Sequence, residues 1–265
     1  MSITAIIITI IVVAAVGLVV GFLLVTAGQV FKVEVDEKVA AVRECLPGNN
    51  CGGCGFPGCD GLAAAIAAGE APVNQCPVGG APVAAKIAAV MGVEAGDTVK
   101  TVAYVRCSGT CEQAKNQSLY DGVQDCRTAA TVPGGGPKAC SFGCLGFGTC
   151  VKECQFDAIH IVNGVAVVDR TKCVACGKCA AACPKGLISL IPDTSKYVVS
   201  CRSQEKGKAV KDACSAGCIG CTACTRVCES DAIHMNGNVA EIDQNKCTGC
   251  GKCAEKCPVK IIRLR

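Results

Sequence analysis

The chain has 265 residues, a formal charge of +4 and 26 cysteines, a density at which thiol or metal scaffolding replaces a large apolar core. Aromatic residues make up 3%, Trp is absent and no basic tract stands out, so a nucleic-acid role lacks the rings and charge it needs. The 51% hydrophobic content counts cysteines, alanines and one apolar N-terminal run, and describes no ordinary globular core.

In chain order, residues 3–31 carry no charged side chain, the first being Lys32. That length spans a hydrocarbon core about 30 Å thick, so residues 1–31 predict a single transmembrane helix. A cleaved signal peptide would have a basic n-region and an apolar stretch of roughly 7–15 residues, whereas this run is longer and has no Lys or Arg ahead of position 32. Only two residues precede the helix, while Lys32, Lys38 and Arg43 follow it. The positive-inside rule therefore expects one pass through the cytoplasmic (inner) membrane, with the remaining chain facing the cytoplasm. The acidic Glu34, Asp36 and Glu37 count little under that rule. In a reducing compartment the cysteines read as metal ligands and not as disulfides.

Residues 35–44 predict a short helix, apolar at Val35, Val39 and Val42. It opens a small Fe–S domain, 32–91, in which Cys51, Cys54, Cys59 and Cys76 stand in the spacing C-x2-C-x4-C-x16-C. Gly52, Gly53, Gly55 and Gly58 permit a backbone wrapped closely round a metal. Four thiolates suit a four-iron cluster, with zinc the alternative. An Ala-rich helix follows Cys59, a second covers 83–91, and 98–106 has strand character. Residues 92–139 read as a Cys-containing connecting region that holds a domain boundary, with TVPGGGPK as a linker.

From residue 140 the sequence repeats at a shift of 74. Cys140, Cys144, Cys150, Cys154, Cys173, Cys176, Cys179 and Cys183 superpose on Cys214, Cys218, Cys224, Cys228, Cys247, Cys250, Cys253 and Cys257. Between them each copy predicts a β-hairpin, turning at Asn163-Gly164 and at Asn236-Gly237. Three motifs fit C-x2-C-x2-C-x3-C: Cys173, Cys176, Cys179 with Cys183; Cys218, Cys221, Cys224 with Cys228; and Cys247, Cys250, Cys253 with Cys257. Such a turn wraps three thiolates round one cubane, and its fourth cysteine serves the neighbouring cluster. Zinc takes two distant C-x2-C pairs more readily than three crowded thiolates. The fold class expected is therefore α+β: the transmembrane helix, the small Fe–S domain, then two tandem bacterial-type two-cluster ferredoxin units, 140–192 and 193–265. Cys154 and Cys183 are exchanged between clusters in the first unit, Cys228 and Cys257 in the second.

One motif departs from the pattern, because Phe147 stands where the second copy has Cys221. The expected remedy is Cys140 joining Cys144 and Cys150; a three-iron cluster, or loss of this cluster, is the alternative. Five [4Fe-4S] clusters would use 20 cysteines and leave Cys45, Cys107, Cys111, Cys126, Cys201 and Cys214. Val105-Arg106-Cys107 and Val199-Ser200-Cys201 open the two copies alike. Cys107, Cys126, Cys201 and Cys214 could thus converge on a sixth cluster at the junction, with Cys111 replacing one of them; otherwise all six are reduced structural thiols.

The segment LPGNNCGGCGFPGC just behind an N-terminal membrane helix, with tandem ferredoxin units after it, resembles the B subunit of the Rnf complex (RnfB, called RsxB in some bacteria), in its longer, clostridial-type form. The resemblance covers nearly the whole chain; CGxCGxPGC is rather specific, the ferredoxin motifs generic. It implies a membrane complex that passes electrons between ferredoxin and NAD and pumps sodium ions or protons. The partners implied are soluble ferredoxin and the flavin/NADH-binding and membrane subunits. Cys51, Cys54, Cys59 and Cys76 match the family's first cluster, and the ferredoxin cysteines match the later ones. The residues themselves offer no catalytic acid or base: His160 and His234 are repeat equivalents in the hairpins, expected at the surface, and no nucleotide-binding motif is present. A polyferredoxin-like subunit of another membrane oxidoreductase, such as a hydrogenase or dehydrogenase, is the competing reading, and a zinc-stabilised scaffold without redox function is a third.

Overall fold

Uninterrupted apolar residues favour one continuous helix, and α1 runs Ile3–Val30. Within this computed structural model, which describes residues 3–30 and 36–265, the stretch Ile10–Gly28 is long and apolar enough to cross a membrane. The Thr26 hydroxyl donates back to the Phe22 and Leu23 carbonyls at 2.9 and 3.0 Å, so this polar atom is satisfied inside its own helix. The expectations resting on Phe31, Lys32, Glu34 and Val35 lie outside the described residues.

Helix α2 (Glu37–Cys45) is capped by the Asp36 carboxylate, which accepts from the Lys38 N–H at 2.9 Å. Helices α3 (Cys59–Ala67) and α4 (Gly80–Met91) are the two Ala-rich helices, the second beginning three residues earlier than its sequence suggests. It ends at Gly92, whose φ of 69° is the left-handed cap glycine adopts without strain. Val42, Leu62, Ala63, Ile66 and Ile87 are buried between the three helices, where small alanines let the backbones approach.

Strand β1 (Thr101–Val105) does not belong to a linker. It pairs antiparallel with β4 (Ile188–Pro192), Thr101 opposite Pro192 and Val105 opposite Ile188. Between them lie α5 (Cys126–Ala130), α6 (Thr149–Lys152), the hairpin β2 (Ile159–Val162) and β3 (Val165–Val168), and α7 (Lys178–Ala182). The second copy repeats this plan with β5 (Tyr197–Val199), α8 (Lys208–Ala213), α9 (Ala223–Arg226), the hairpin β6 (Ile233–Asn236) and β7 (Val239–Ile242), α10 (Lys252–Lys256) and β8 (Ile262–Leu264). Here β5 pairs with β8, as β1 pairs with β4. Each unit thus has a hairpin at one end and a ladder closing the other, with cysteine loops between. The strand expected in the connecting region is therefore part of the first unit's sheet. The TVPGGGPK stretch is no free linker either: the Gln117 N–H donates to the Pro137 carbonyl at 2.8 Å and Lys138 is buried.

The first hairpin turns as expected, with Asn163 and Gly164 both at positive φ (47° and 75°) in a two-residue turn that matches the strand twist. The second turns one residue later. Asn236 pairs with Val239, so Gly237 and Asn238 form the turn, and Gly237 at φ 61° supplies the positive angle. His160 and His234 stand at exposed positions on β2 and β6, as expected of surface residues.

Candidate metal centres

The cysteine loops fold as the spacing requires because left-handed residues reverse the chain between thiols. Gly177 and Gly251 begin α7 and α10 at φ 77° and 81°, and Ala175 (56°) and Gly249 (71°) turn the two C-x2-C-x2-C loops. The short helices then carry Cys179, Cys224 and Cys253 into the buried face of each unit.

In the second unit Cys218, Cys221, Cys224 and Cys257 line one pocket, walled by Met235, Ala240, Ile261 and Ile262. Three thiols come from one motif and the fourth from the other, which is the expected exchange. Burial pushes the Cys224 thiol up to about 11, helped by its neighbours Cys218, Cys257 and Cys221. Cys179 is likewise pushed up to about 11 by burial and by Cys176, Cys173 and Cys154. These neighbours gather the other exchanged set of the first unit. Backbone N–H groups aim at the sulfurs throughout: Ala158 to Cys154, Leu187 to Cys183 and Ala103 to Cys173 at 3.4 Å, and Ala232 to Cys228 at 3.3 Å.

The departure at Phe147 has a structural answer that the sequence did not offer. Cys126, Cys144, Cys150 and Cys183 line the first unit's counterpart of the Cys221 pocket, so Cys126 occupies the missing place. Cys140, expected there, lines a different cavity with Cys107, Cys201 and Cys214. The segment 107–139 carries α5, whose first residue is Cys126 and whose Asp125 cap accepts from the Arg127 and Thr128 N–H groups at 2.8 and 3.1 Å. The Thr149 hydroxyl donates to Asp125 at 2.8 Å and accepts from the Cys126 N–H at 2.7 Å. Phe147 stacks obliquely on Tyr120 with centroids 5.2 Å apart, and both rings pack on the Cys126, Ala129 and Leu145 cluster. The ring that displaced a ligand thus anchors the segment that delivers its substitute. Cys150 is pushed up to about 12 by burial, with Cys144, Cys126 and Cys183 adding to the effect.

In the N-proximal domain Asn50 Oδ1 accepts from the Cys59 N–H at 2.8 Å, and the Gly79 N–H points at Cys76 Sγ at 3.4 Å. Burial raises the Cys76 thiol, as do nearby Cys59 and Cys51. This domain closely approaches the first ferredoxin unit at Gly53: a Cβ built there would lie 2.7 Å from the Cys176 carbonyl oxygen. Cys51 also stands among the charges that, after burial, raise Cys176.

The donor set decides which metal group fits. Among the described residues no three His, Cys, Asp or Glu side chains converge as a single ion requires. Two all-thiol sets of four line apolar pockets instead, and N–H groups are directed at cysteine sulfurs, which suits an iron–sulfur cluster held by four cysteines. Thiols raised by burial hold their protons at neutral pH until a metal displaces them, so loading releases protons and adds to folding stability.

Three family models match within this frame: an Fe-S cluster domain over residues 46–78, a 4Fe-4S binding domain over 166–189 and a 4Fe-4S dicluster domain over 212–264. The chain is 48% identical over 247 residues to the B subunit of the Na+-translocating ferredoxin:NAD+ oxidoreductase complex of Acetobacterium woodii, covering 93% of this chain and 74% of that protein. It is 45% identical over 255 residues to the B subunit of the ion-translocating oxidoreductase complex of Methanosarcina acetivorans, covering 96% of each. With the B subunit of the proton-translocating ferredoxin:NAD+ oxidoreductase complex of Clostridium ljungdahlii the identity is 42% over 262 residues, 97% of this chain and 92% of that one. Identity at this level over nearly the full length, with cysteine sets gathered as the motifs require, means that the chain belongs to the B-subunit family of the Rnf ion-translocating ferredoxin:NAD oxidoreductases.

Proposed function

We propose that the chain is the iron–sulfur electron-transfer subunit of a membrane-bound, ion-translocating ferredoxin:NAD oxidoreductase. The observation that carries this reading is the succession of four-thiol sets along one chain, two of them lining equivalent pockets built from both motifs of a unit. Five [4Fe-4S] clusters account for them. The first uses Cys51, Cys54, Cys59 and Cys76; the second Cys154, Cys173, Cys176 and Cys179; the third Cys144, Cys150 and Cys183 with Cys126. The fourth uses Cys218, Cys221, Cys224 and Cys257, and the fifth Cys228, Cys247, Cys250 and Cys253. Each cluster accepts and returns one electron without a proton or a bond change. The chain's own residues set the conditions: N–H donors to sulfur favour added charge, and aliphatic walls such as Met235, Ile261 and Ile262 exclude water.

In this reading reduced ferredoxin is the soluble donor or acceptor, and electrons leave or enter through the flavin/NADH-binding and membrane subunits. The chain then works as a relay that needs no catalytic acid or base of its own, and α1 tethers it with its soluble part on the cytoplasmic face. Relatives named for sodium and for protons are both above 40% identical to it, which supports assigning the ion path to other subunits. The test is anaerobic purification of the full chain in detergent, followed by mixing with reduced ferredoxin. Iron with matching acid-labile sulfide, absorbance near 400 nm that bleaches on mixing, and reduced-state EPR signals are expected. Zinc in place of iron, or clusters that ferredoxin leaves oxidised, would overturn the reading.

A further inference from the structure

The junction between the two ferredoxin units encloses a cavity of about 270 Å³ that none of the five clusters uses. Four cysteines line it: Cys107, Cys140, Cys201 and Cys214. They come as two matched pairs. Cys107 follows β1 and Cys201 follows β5, each two residues past the strand end. Cys107 Sγ accepts from the N–H groups of Gly109 and Cys144, and Cys201 Sγ accepts from those of Ser203 and Cys218, all at 3.4 Å. Cys140 and Cys214 are repeat equivalents, each four residues ahead of the cysteine, Cys144 or Cys218, whose N–H makes that bond.

Open space between the sulfurs, cationic side chains on the wall and direct tethers between the units suit this cavity to a bound cluster. A Cβ on Gly109 would sit 3.5 Å from Cys214 Sγ and 3.6 Å from Cys107 Sγ, so the absence of a side chain keeps the space between these sulfurs open. Lys138, 6% exposed, lines the wall, with Nζ donating to the Gly109 and Gly164 carbonyls at 2.7 and 2.9 Å. Arg202 lines it as well, as do Glu205 and the buried Arg106, whose guanidinium is paired with Glu241 at 2.7 Å. The two units are stitched together at this place by the Ala114–Cys214 bridge and by the Lys115 N–H donating to the Ala213 carbonyl at 3.0 Å.

We propose that Cys107, Cys140, Cys201 and Cys214 hold a sixth [4Fe-4S] centre, each unit giving two ligands, and that it connects the two ferredoxin units electronically. Its neighbours are the sets containing Cys144 and Cys218, whose backbone N–H groups already bond its sulfurs. One electron passes from one flanking centre to the other through it, the donor being oxidised as the acceptor is reduced. This proposal rests on the five-cluster reading above and reassigns Cys126 and Cys140 relative to the sequence: Cys126 completes the first unit, Cys140 the junction.

Iron and sulfide counting on the full chain, reconstituted anaerobically, tests it. About 24 irons per chain are expected for six four-iron centres and about 20 for five. A Cys201→Ser, Cys214→Ser double variant should lose about four irons and keep the EPR signals of the other clusters. Gly109→Leu, which leaves every cysteine in place and fills the space between two of them, should lose the same four. Cys126→Ser should alter a different cluster from the one altered by Cys140→Ser. A wild-type count near 20, unchanged in the double variant, would overturn the sixth centre while leaving the five-cluster function standing; the same cluster lost in Cys126→Ser and in Cys140→Ser would overturn the reassignment. Zinc, or only a few irons, in the wild type would instead defeat the five-cluster reading, and this proposal with it.

Discussion

Placing a side chain at Gly53 tests whether the N-proximal cluster is in electronic contact with the first ferredoxin unit. A Cβ there would meet Cys176 backbone atoms at 2.7, 2.9 and 3.1 Å. Ordinary contact begins near 3.4 Å, so Gly53→Ala must open the junction by about 0.7 Å, and Gly53→Val by more. The obstacle is backbone and cannot rotate away. The junction is loop against loop at the surface, so it can open without disturbing either core, and stability should change by no more than about 0.5 kcal/mol. Iron content should also stay constant. What should change is the separation of two reduced clusters, one on Cys51, Cys54, Cys59 and Cys76 and the other on Cys154, Cys173, Cys176 and Cys179. Magnetic interaction between them in the EPR spectrum, and the rate at which one reduces the other in rapid mixing, should fall in the order Gly, Ala, Val. Gly69→Asn, at a left-handed glycine with no neighbour within 4 Å, is the control and should change neither. Unchanged spin interaction and rate in Gly53→Val would refute the reasoning.

Thr149→Val removes the hydroxyl that bonds both Asp125 and the Cys126 N–H; leaving that buried N–H unpaired should cost about 1–3 kcal/mol and make the cluster on Cys126, Cys144, Cys150 and Cys183 the one most readily damaged by oxygen, as followed by its EPR signal. Arg106, just past β1, reaches Glu241 on β7 at 2.7 Å and ties the two units, so Glu241→Gln should lower stability by about 1 kcal/mol at pH 7, a small figure because the Glu241 side chain is 44% exposed. The Asn236 amide, and then Arg106, hold the Glu241 carboxyl below its ordinary value. A depressed carboxyl stabilises above its unfolded value of about 4.3 and stops doing so as pH falls through the folded one, so urea unfolding of wild type and variant should converge only as pH is lowered below about 4.3. A chain lacking residues 1–31 should be soluble, brown and folded, with unchanged far-ultraviolet strand and helix signals apart from the missing α1. Thr26→Val should leave ion transport by the assembled complex intact, since that hydroxyl is already bonded within its own helix; transport lost with assembly preserved would put α1 on the ion path.

Features fixed by neighbours in the chain were legible in the sequence. A C-x2-C-x2-C loop reverses on itself whatever surrounds it, so the motifs at Cys173, Cys218 and Cys247 could be read directly, and the repeat carried the hairpins and the ligand exchange with them. Uninterrupted apolar residues likewise dictated α1, since a helix satisfies its own backbone. What the sequence could not settle were the cysteines outside such loops. Cys126 and Cys140 are 14 residues apart with no local pattern to tell their destinations. Their sorting follows from Phe147 packing on Tyr120, which docks α5 over the first unit and frees Cys140 to face the junction. The strand at Thr101–Val105 was visible, but its partner at Ile188–Pro192 was not, because pairing across that distance depends on the path of the intervening hairpin and cysteine loops and not on any local pattern. Tertiary structure alone gathers Cys107, Cys140, Cys201 and Cys214 round one cavity, since the four belong to two units and meet only where those units dock.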